Sequence, residues 1–511
     1  IFGPRRITSD GKSFYDDEQV TRRAFEIDFA RCNQERFRLL IKAEDDDTGD
    51  GTGEGEGTGS ESMEIGEIKD VLCRHRDTFY SAFRYFSGLG AINERGDGFS
   101  MAVEDYETFV QRCKLANENS TKCKFEDLQK IFDETNVEEE TLDEQKEMAE
   151  VNLDRALLRF EFMQCLVRIA IAKYVHGGEQ VGGKNKPTEK IADVSEALER
   201  LLEKDIAPNL PPEGQVVPDV FRRGRLYTKS VHDAITRNEA QLRAIFEFYA
   251  ATGIGEEEPT EDKPIMSGGE IFARDLYLSL DEWYTFLEDC GIIDEQPDPN
   301  APASAPMAAL QIERPEIVEP TTSETETRTN NPGLDRRAAV FCFLWSSPFV
   351  TDEVKRREKM AHLSFVDFVE ALCRICTFKA LPTDEILKQH NAKSCAHFFM
   401  QERLGIHEGR FLLTRAIDWR EKEIPQGKGA ETSLREPLAK LISLILERLS
   451  TSSEELTRGE LKQRLIERVE RKKEALEAKK QAEDDLKTAG LFGGITDVML
   501  GGVTGQQAEK R

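Results

Sequence analysis

No stretch of this 511-residue chain approaches the ~18 to 20 uninterrupted apolar residues of a membrane-spanning helix. No charged-then-apolar secretory leader opens the chain, whose first residue is Ile1. Positive charge is also short: 70 Lys+Arg stand against 97 Asp+Glu, a net charge of −27. That balance excludes general nucleic-acid binding, which needs a net-basic face to release counterions from phosphate. The seven histidines are scattered, with neither an HExxH cluster nor a nucleophile elbow elsewhere in the chain. Carboxylate pairs are everywhere in so acidic a protein and carry no catalytic information. The expectation is a non-catalytic protein with no membrane span.

The ten cysteines make no disulfide framework in a chain of this length. Cys113, Cys165, Cys290, Cys342 and Cys373 lie inside apolar helical runs, where free thiols behave as small hydrophobes. That usage suits a reducing compartment such as cytosol or cilium. Period-two strand patterns are scarce. The expected class is all-α, with at most very short strands between helices.

Helical patterns and low-complexity breaks account for most of the chain. Ala24 to Ile41 sets Phe25, Ile27, Phe29, Phe37 and Leu40 among charged residues, and Val151 to Val175 is apolar nearly all round, as in a central buried helix. Leu438 to Leu449 is amphipathic, and Thr451 to Lys487 reads as a long charged helix with i,i+4 pairs. Asp45 to Ser60 is acidic and Gly-rich and reads as a flexible tether; Gly177 to Pro187 is a second break. The implied organisation has an N-terminal helix and tether over 1–64 and a first module over 65–176. A linker over 177–225 leads to a second module over 226–382, with a Pro/Thr-rich disordered insertion at 296–333. A C-terminal helical region with an apolar tail covers 383–511.

An internal repeat is the most informative signal. Leu157 to Lys173 aligns without gaps on Leu363 to Lys379, matching Leu157, Phe162, Leu166, Arg168, Ile169 and Lys173 to Leu363, Phe368, Leu372, Arg374, Ile375 and Lys379. Upstream, the run ending at Cys113 lies on the run ending at Cys290, and Phe83 falls on Phe246. The chain therefore holds two copies of one module, each with two helix–loop–helix units that bury their aromatic faces together.

Each unit opens its second helix with an acid and an aromatic: Asp105-Tyr106, Glu161-Phe162, Glu282-Trp283 and Asp367-Phe368. That order is the EF-hand pattern, whose loop binds Ca²⁺ through oxygens at positions 1, 3, 5 and 12, with glycine at 6. Counting back from Glu161 places Glu150, Asn152 and Asp154 at positions 1, 3 and 5 but the cation Arg155 at 6. Asn93, Asp97, Gly98 and Glu104 fit positions 1, 5, 6 and 12 of the first loop, with Arg95 at 3 and Ser100 at the apolar position 8. Shifting to Asp105 restores Met101 at position 8 and loses the ligands. Arg356, Glu358 and Met360 before Asp367 cannot chelate, and the loop before Glu282 is expanded and apolar. All four loops read as degenerate. Asn93, Asp97, Glu104, Glu150, Asn152, Asp154 and Glu161 are the calcium candidates, and no other cofactor is expected.

The phrases KFEDLQKIFDETN, ALLRFEFMQCLVRIAIAKYV and HLSFVDFVEALCRICTFKALP resemble the degenerate EF-hand pairs of large axoneme-associated proteins of flagellated protists, over roughly Asp70 to Pro382. The resemblance implies a structural protein of the cilium or flagellum, docked on doublet microtubules or a neighbouring axonemal complex. Arg95, Arg155 and Met360 depart from a metal-binding hand. Two other readings stay open: a calcium-responsive regulatory protein, and a non-catalytic regulatory subunit of a cytosolic assembly.

Four further motifs matter less or point to partners. Gly178 to Lys184 nearly spells a phosphate-binding loop, but Asn185 replaces the hydroxyl residue and Pro187 opposes the helix that should follow, so it reads as linker. Cys373 and Cys376, with Cys395 and His397, suggest zinc, yet the pair aligns with Val167 and Ala170 in the repeat, which says core. Arg222, Arg223 and Arg225 form a basic patch that could meet acidic tubulin. Leu491 to Val503, with Leu491, Phe492 and Met499, could dock in a partner's groove or fold back on this chain.

Overall fold

A computed structural model describes residues 2, 18–32, 57–93, 97–136, 156–176, 179–181, 184–186, 191, 193–252, 276–293, 334–403 and 434–449, with a few positions in 459–467. Within them the chain is all-α apart from very short strands. The first part contains α1 (Glu18–Arg31), α2 (Gly57–Arg74), α3 (Arg76–Ile92), β1 (Met101–Ala102), α4 (Val103–Arg112), α5 (Phe125–Asn136), β2 (Ala156–Leu157) and α6 (Arg159–Ala170). A hairpin of β3 (Glu179–Val181) and β4 (Lys184–Lys186) leads to α7 (Val194–Arg200), α8 (Pro218–Phe221) and α9 (Lys229–Arg237). The second part holds α10 (Glu239–Thr252), α11 (Leu280–Asp289), α12 (Arg336–Ser346), α13 (Arg357–Ala361) and α14 (Phe365–Phe378). Then come α15 (Asp384–Gln389), α16 (Cys395–Arg403) and α17 (Arg435–Leu449).

The sequence repeat is a repeat of contacts. Phe83 lies 5.6 Å from Phe162, and its counterpart Phe246 lies 5.7 Å from Phe368. Phe109 meets Phe162 edge-on at 5.2 Å and 70°, while Phe286 meets Phe368 at 5.3 Å and 66°. Phe86–Phe109 and Tyr249–Phe286 form a third matched pair, at 5.2 and 5.3 Å. Edge-to-face rings gain energy beyond area burial, about 0.5 to 1.5 kcal/mol per pair, so spacing on two helices fixes the angle between them.

The loops are tied by the same device in both copies. Met101 pairs antiparallel with Leu157, and Leu278 with Leu363. Each bridge joins the residue four places before one helix's acid to the residue four places before its neighbour's. The two copies then pack together through α3 and α12, where Tyr85 stacks on Phe341 at 5.5 Å with the rings 3° apart. α1 lies on α6, and α17 covers α9 and α14.

Equivalent helix ends also match. α4 and α11 both close with a residue in the left-handed region, Lys114 at φ 53° and Gly291 at φ 60°. Leu115 N–H donates to Val110 O and Ile292 N–H to Leu287 O, each at 3.0 Å, as in a Schellman-type stop. The repeated lysines bind just beyond: Lys173 Nζ donates to Lys114 O, and Lys379 Nζ to Ile292 O at 2.8 Å. A side chain at positive φ costs roughly 1 to 2 kcal/mol, part of which glycine returns through its greater unfolded-state entropy. Lys114→Gly is therefore expected to stabilise the protein by about 0.5 to 1 kcal/mol, read as a higher midpoint in thermal unfolding.

Two expectations need correction. α2 begins at Gly57, inside the segment expected to be tether through Ser60, because propagating a helix from its packed apolar face costs far less than nucleating one. The first helix spans Glu18–Arg31, and positions 33–41 of the run expected to be helical lie outside the described residues. The break at 177–187 contains the β3–β4 hairpin, with Gln180 opposite Asn185. Lys184 to Lys186 is itself a strand where a phosphate loop would open its helix, so the near-match lacks that setting. Of the charged helix expected over 451–487, only 459, 460, 463, 466 and 467 are described, all helical; the insertion 296–333 lies outside the described residues.

Candidate functional site

The acids that open the repeated helices face their own backbone. Glu161 Oε2 accepts from Leu158 N–H at 2.6 Å. Glu282 Oε2 accepts from Ser279 N–H at 2.7 Å, and Asp367 Oδ2 from Ser364 N–H at 2.9 Å. Ser279 and Ser364 complete capping boxes, satisfying donors that a helix start otherwise leaves orphaned. The fourth acid, Asp105, is buried with its carboxylate packed against Gly90 of α3. The pattern that suggests position 12 of a calcium loop therefore has a helix-capping explanation in three of the four units.

The first loop keeps part of a cation site and fills it from inside. Gly98 adopts φ 82°, and Asp97 Oδ1 accepts from Phe99 and Ser100 N–H at 2.8 and 3.2 Å. Met101, not Ser100, makes the β-bridge, so the conflict of register is one extra residue between Gly98 and the bridge. Arg357, from α13 of the other copy, donates to Asp97 Oδ2 at 2.5 Å and to Phe99 O at 2.9 Å. A guanidinium thus occupies the side-chain and carbonyl oxygens that a divalent cation would use. Asn93 and Glu104 are exposed, and Asn93 Nδ2 donates to Leu89 O. Glu150, Asn152 and Asp154 lie outside the described residues.

Among the described residues, the one converging group of three His, Cys, Asp or Glu ligand atoms is His75, Glu199 and Glu203. It shares no residue with the calcium candidates, and Arg74 already pairs with Glu199 at 2.6 Å. Cys373 and Cys376 are buried within α14, and burial pushes both thiols up. His397 Nδ1 accepts from Lys393 N–H. These residues form no metal cluster.

The basic patch is the main correction to the expected site. Arg222 is 1% exposed and Arg225 is also buried. Only Arg223 reaches solvent, where it pairs with Asp219. Arg222 Nε sits 3.0 and 2.9 Å from the two oxygens of Glu370, while its Nη2 donates to Trp345 O at 3.2 Å. Arg374 binds the same Glu370 at 2.7 Å, and Pro218 O at 3.1 Å, with Phe221 against its guanidinium plane. Two arginines around one carboxylate hold α8 to α12 and α14. Buried charge of this kind persists only when paired and hydrogen-bonded. The tail residues Leu491, Phe492 and Met499 lie outside the described residues.

A second buried network was not anticipated from the sequence. Arg159 Nε and Nη2 donate to Asp28 Oδ2 and Oδ1 at 2.5 and 2.9 Å, and Tyr80 Oη donates to Asp28 Oδ2 at 2.7 Å. Arg159 also reaches Val350 O at 3.2 Å and lies over the Phe349 ring at 4.6 Å. Burial alone would lower the Arg159 pKa, but Asp28 and Glu353 raise it and keep the guanidinium charged. Arg31 pairs with Asp352 at 2.8 Å. One arginine thus gathers α1, α6 and the 349–353 loop of the second copy.

Fold and site together define an all-α helical-repeat protein with internally paired charges. Compared with family models, curated proteins and solved structures, the chain matches none.

Proposed function

We propose that the chain is a non-catalytic helical scaffold that serves as a subunit of a larger assembly, built from two EF-hand-like pairs fixed without metal. The observation that carries this reading is where the loop acids go: Glu161, Glu282 and Asp367 cap helices, and Asp97 holds Arg357. A calcium switch needs ligands free to exchange water for metal and a helix pair free to open. Among the described candidates, Glu161 is committed to a helix start and Asp97 to Arg357, and the helix pairs are held by matched aromatic contacts. This favours a structural or regulatory subunit over a calcium sensor. The buried Arg222 and Arg225 remove the basic patch from tubulin docking, so any contact with a microtubule would use other residues. The axoneme remains the assembly in which to look first, on the strength of the sequence resemblance.

Calorimetric titration of the full chain with Ca²⁺ is expected to give no sub-millimolar binding. Glu161→Gln should lower stability by about 1 kcal/mol through the weakened cap, equally with and without calcium. Sub-millimolar binding abolished by Glu161→Gln would move the calcium-responsive reading to the front.

A further inference from the structure

Glu353 lies fully buried where the two copies meet. Its Oε1 accepts from Phe160 N–H at 3.3 Å, and its Oε2 has no hydrogen-bond partner among the described residues. The side chain lines a cavity of about 40 Å³ walled by Tyr80, Phe83 and Phe99 from the first copy and Pro348, Phe349 and Met360 from the second. Such a space holds a water or two, not an organic ligand.

Two of the neighbouring guanidiniums are matched without it. Arg159 of α6 is matched by Asp28 of α1, and Arg357 of α13 by Asp97 of the first loop. Arg84 of α3 lines the same cavity, over the Phe349 ring at 5.9 Å, and the Tyr80 hydroxyl is spent on Asp28. Asp352, next in the loop, is held below the ordinary range by Arg31 despite its burial. An ionised Glu353 therefore adds a buried negative charge whose Oε2 has no protein partner among the described residues; a protonated one adds no charge.

We propose that the junction between the two copies is a proton-operated latch, closed while Glu353 carries a proton and loosened when it loses it. Burial pushes this carboxyl up to about 7, against the pull of Arg159 and Arg357 and with the push of Asp28. Once the junction opens, water restores an ordinary value of ~4.3. The closed form then binds more protons than the open form between those two values. Raising pH through 7 therefore favours opening, and lowering it favours closure.

The test is hydrogen exchange of the full chain at pH 6 and pH 8, corrected for intrinsic exchange rates, read over residues 347–354 and α1. The opening constant is expected to rise about tenfold across that interval in the wild type. Glu353→Gln, which cannot ionise, should abolish the step. If that variant fails to fold, Glu353→Met, which needs no partner at this position, supplies the same comparison. A wild-type opening constant that does not change with pH overturns the latch. So does a tenfold step that survives in either variant.

Discussion

Glu370→Ala is expected to destabilise the second copy by about 3 to 5 kcal/mol, the cost of leaving a buried charge without its partner. The substitution strands two guanidiniums at once, because Arg222 and Arg374 both bind this carboxylate and are themselves buried. Burial already lowers the Arg374 pKa, and Glu370 is the first of the influences that raise it. Backbone carbonyls of Trp345, Ser346, Ser347 and Pro218 would remain as acceptors, but neutral carbonyls do not replace the carboxylate's charge. Hydrogen exchange of α14 should accelerate roughly 10² to 10⁴-fold. The joint replacement Arg222→Met, Glu370→Leu and Arg374→Met should recover most of that loss, since well-packed apolar residues often replace a buried ionic cluster at little cost. Removing the exposed pair Lys69–Glu26 should change stability by less than about 1 kcal/mol.

Asp28→Ala is expected to release α1 from the rest of the protein, at a cost of about 3 kcal/mol. Arg159 loses both charge-assisted bonds, and Tyr80 loses its acceptor. Part of the loss should be offset by Glu353, which faces the same guanidinium. With Asp28 gone, one negative neighbour disappears and Arg159 is left unmatched, so both changes favour an ionised Glu353. The pH step of the junction should accordingly move to lower pH in Asp28→Ala. Exchange rates of the α1 amides measure the first effect, and their pH profile the second. A profile identical to wild type would mean that the two carboxylates do not share Arg159.

The contrast between what the sequence made legible and what it hid follows from distance along the chain. The aromatic core was readable because it is written twice: Phe83, Phe109 and Phe162 recur as Phe246, Phe286 and Phe368, at spacings that only helices bring to one face. The charge networks were not readable. Arg222 finds Glu370 at a separation of 148 residues, Arg159 finds Asp28 at 131, and Phe160 N–H finds Glu353 at 193. No local pattern announces such partners. Arg222, Arg223 and Arg225 looked like surface because arginines in an acidic chain are usually solvated; two of the three instead turn inward where α8 meets α14. The acids at the helix starts carried a different ambiguity. A carboxylate three residues after a helix's first cap residue serves a capping box and a metal loop equally well, and only the hydrogen-bond partner separates them. Serine at 279 and 364 was the signal in the sequence that favoured the cap.

The scaffold reading stands or falls on whether the protein lives inside an assembly. The decisive measurement is fractionation of cells that carry the endogenous protein, following it through detergent extraction of axonemes, a high-salt wash and then native sizing of whatever is released. The account predicts that it stays with the axoneme or elutes in a complex much larger than its own 57.9 kDa. Complete release as a lone chain would contradict it.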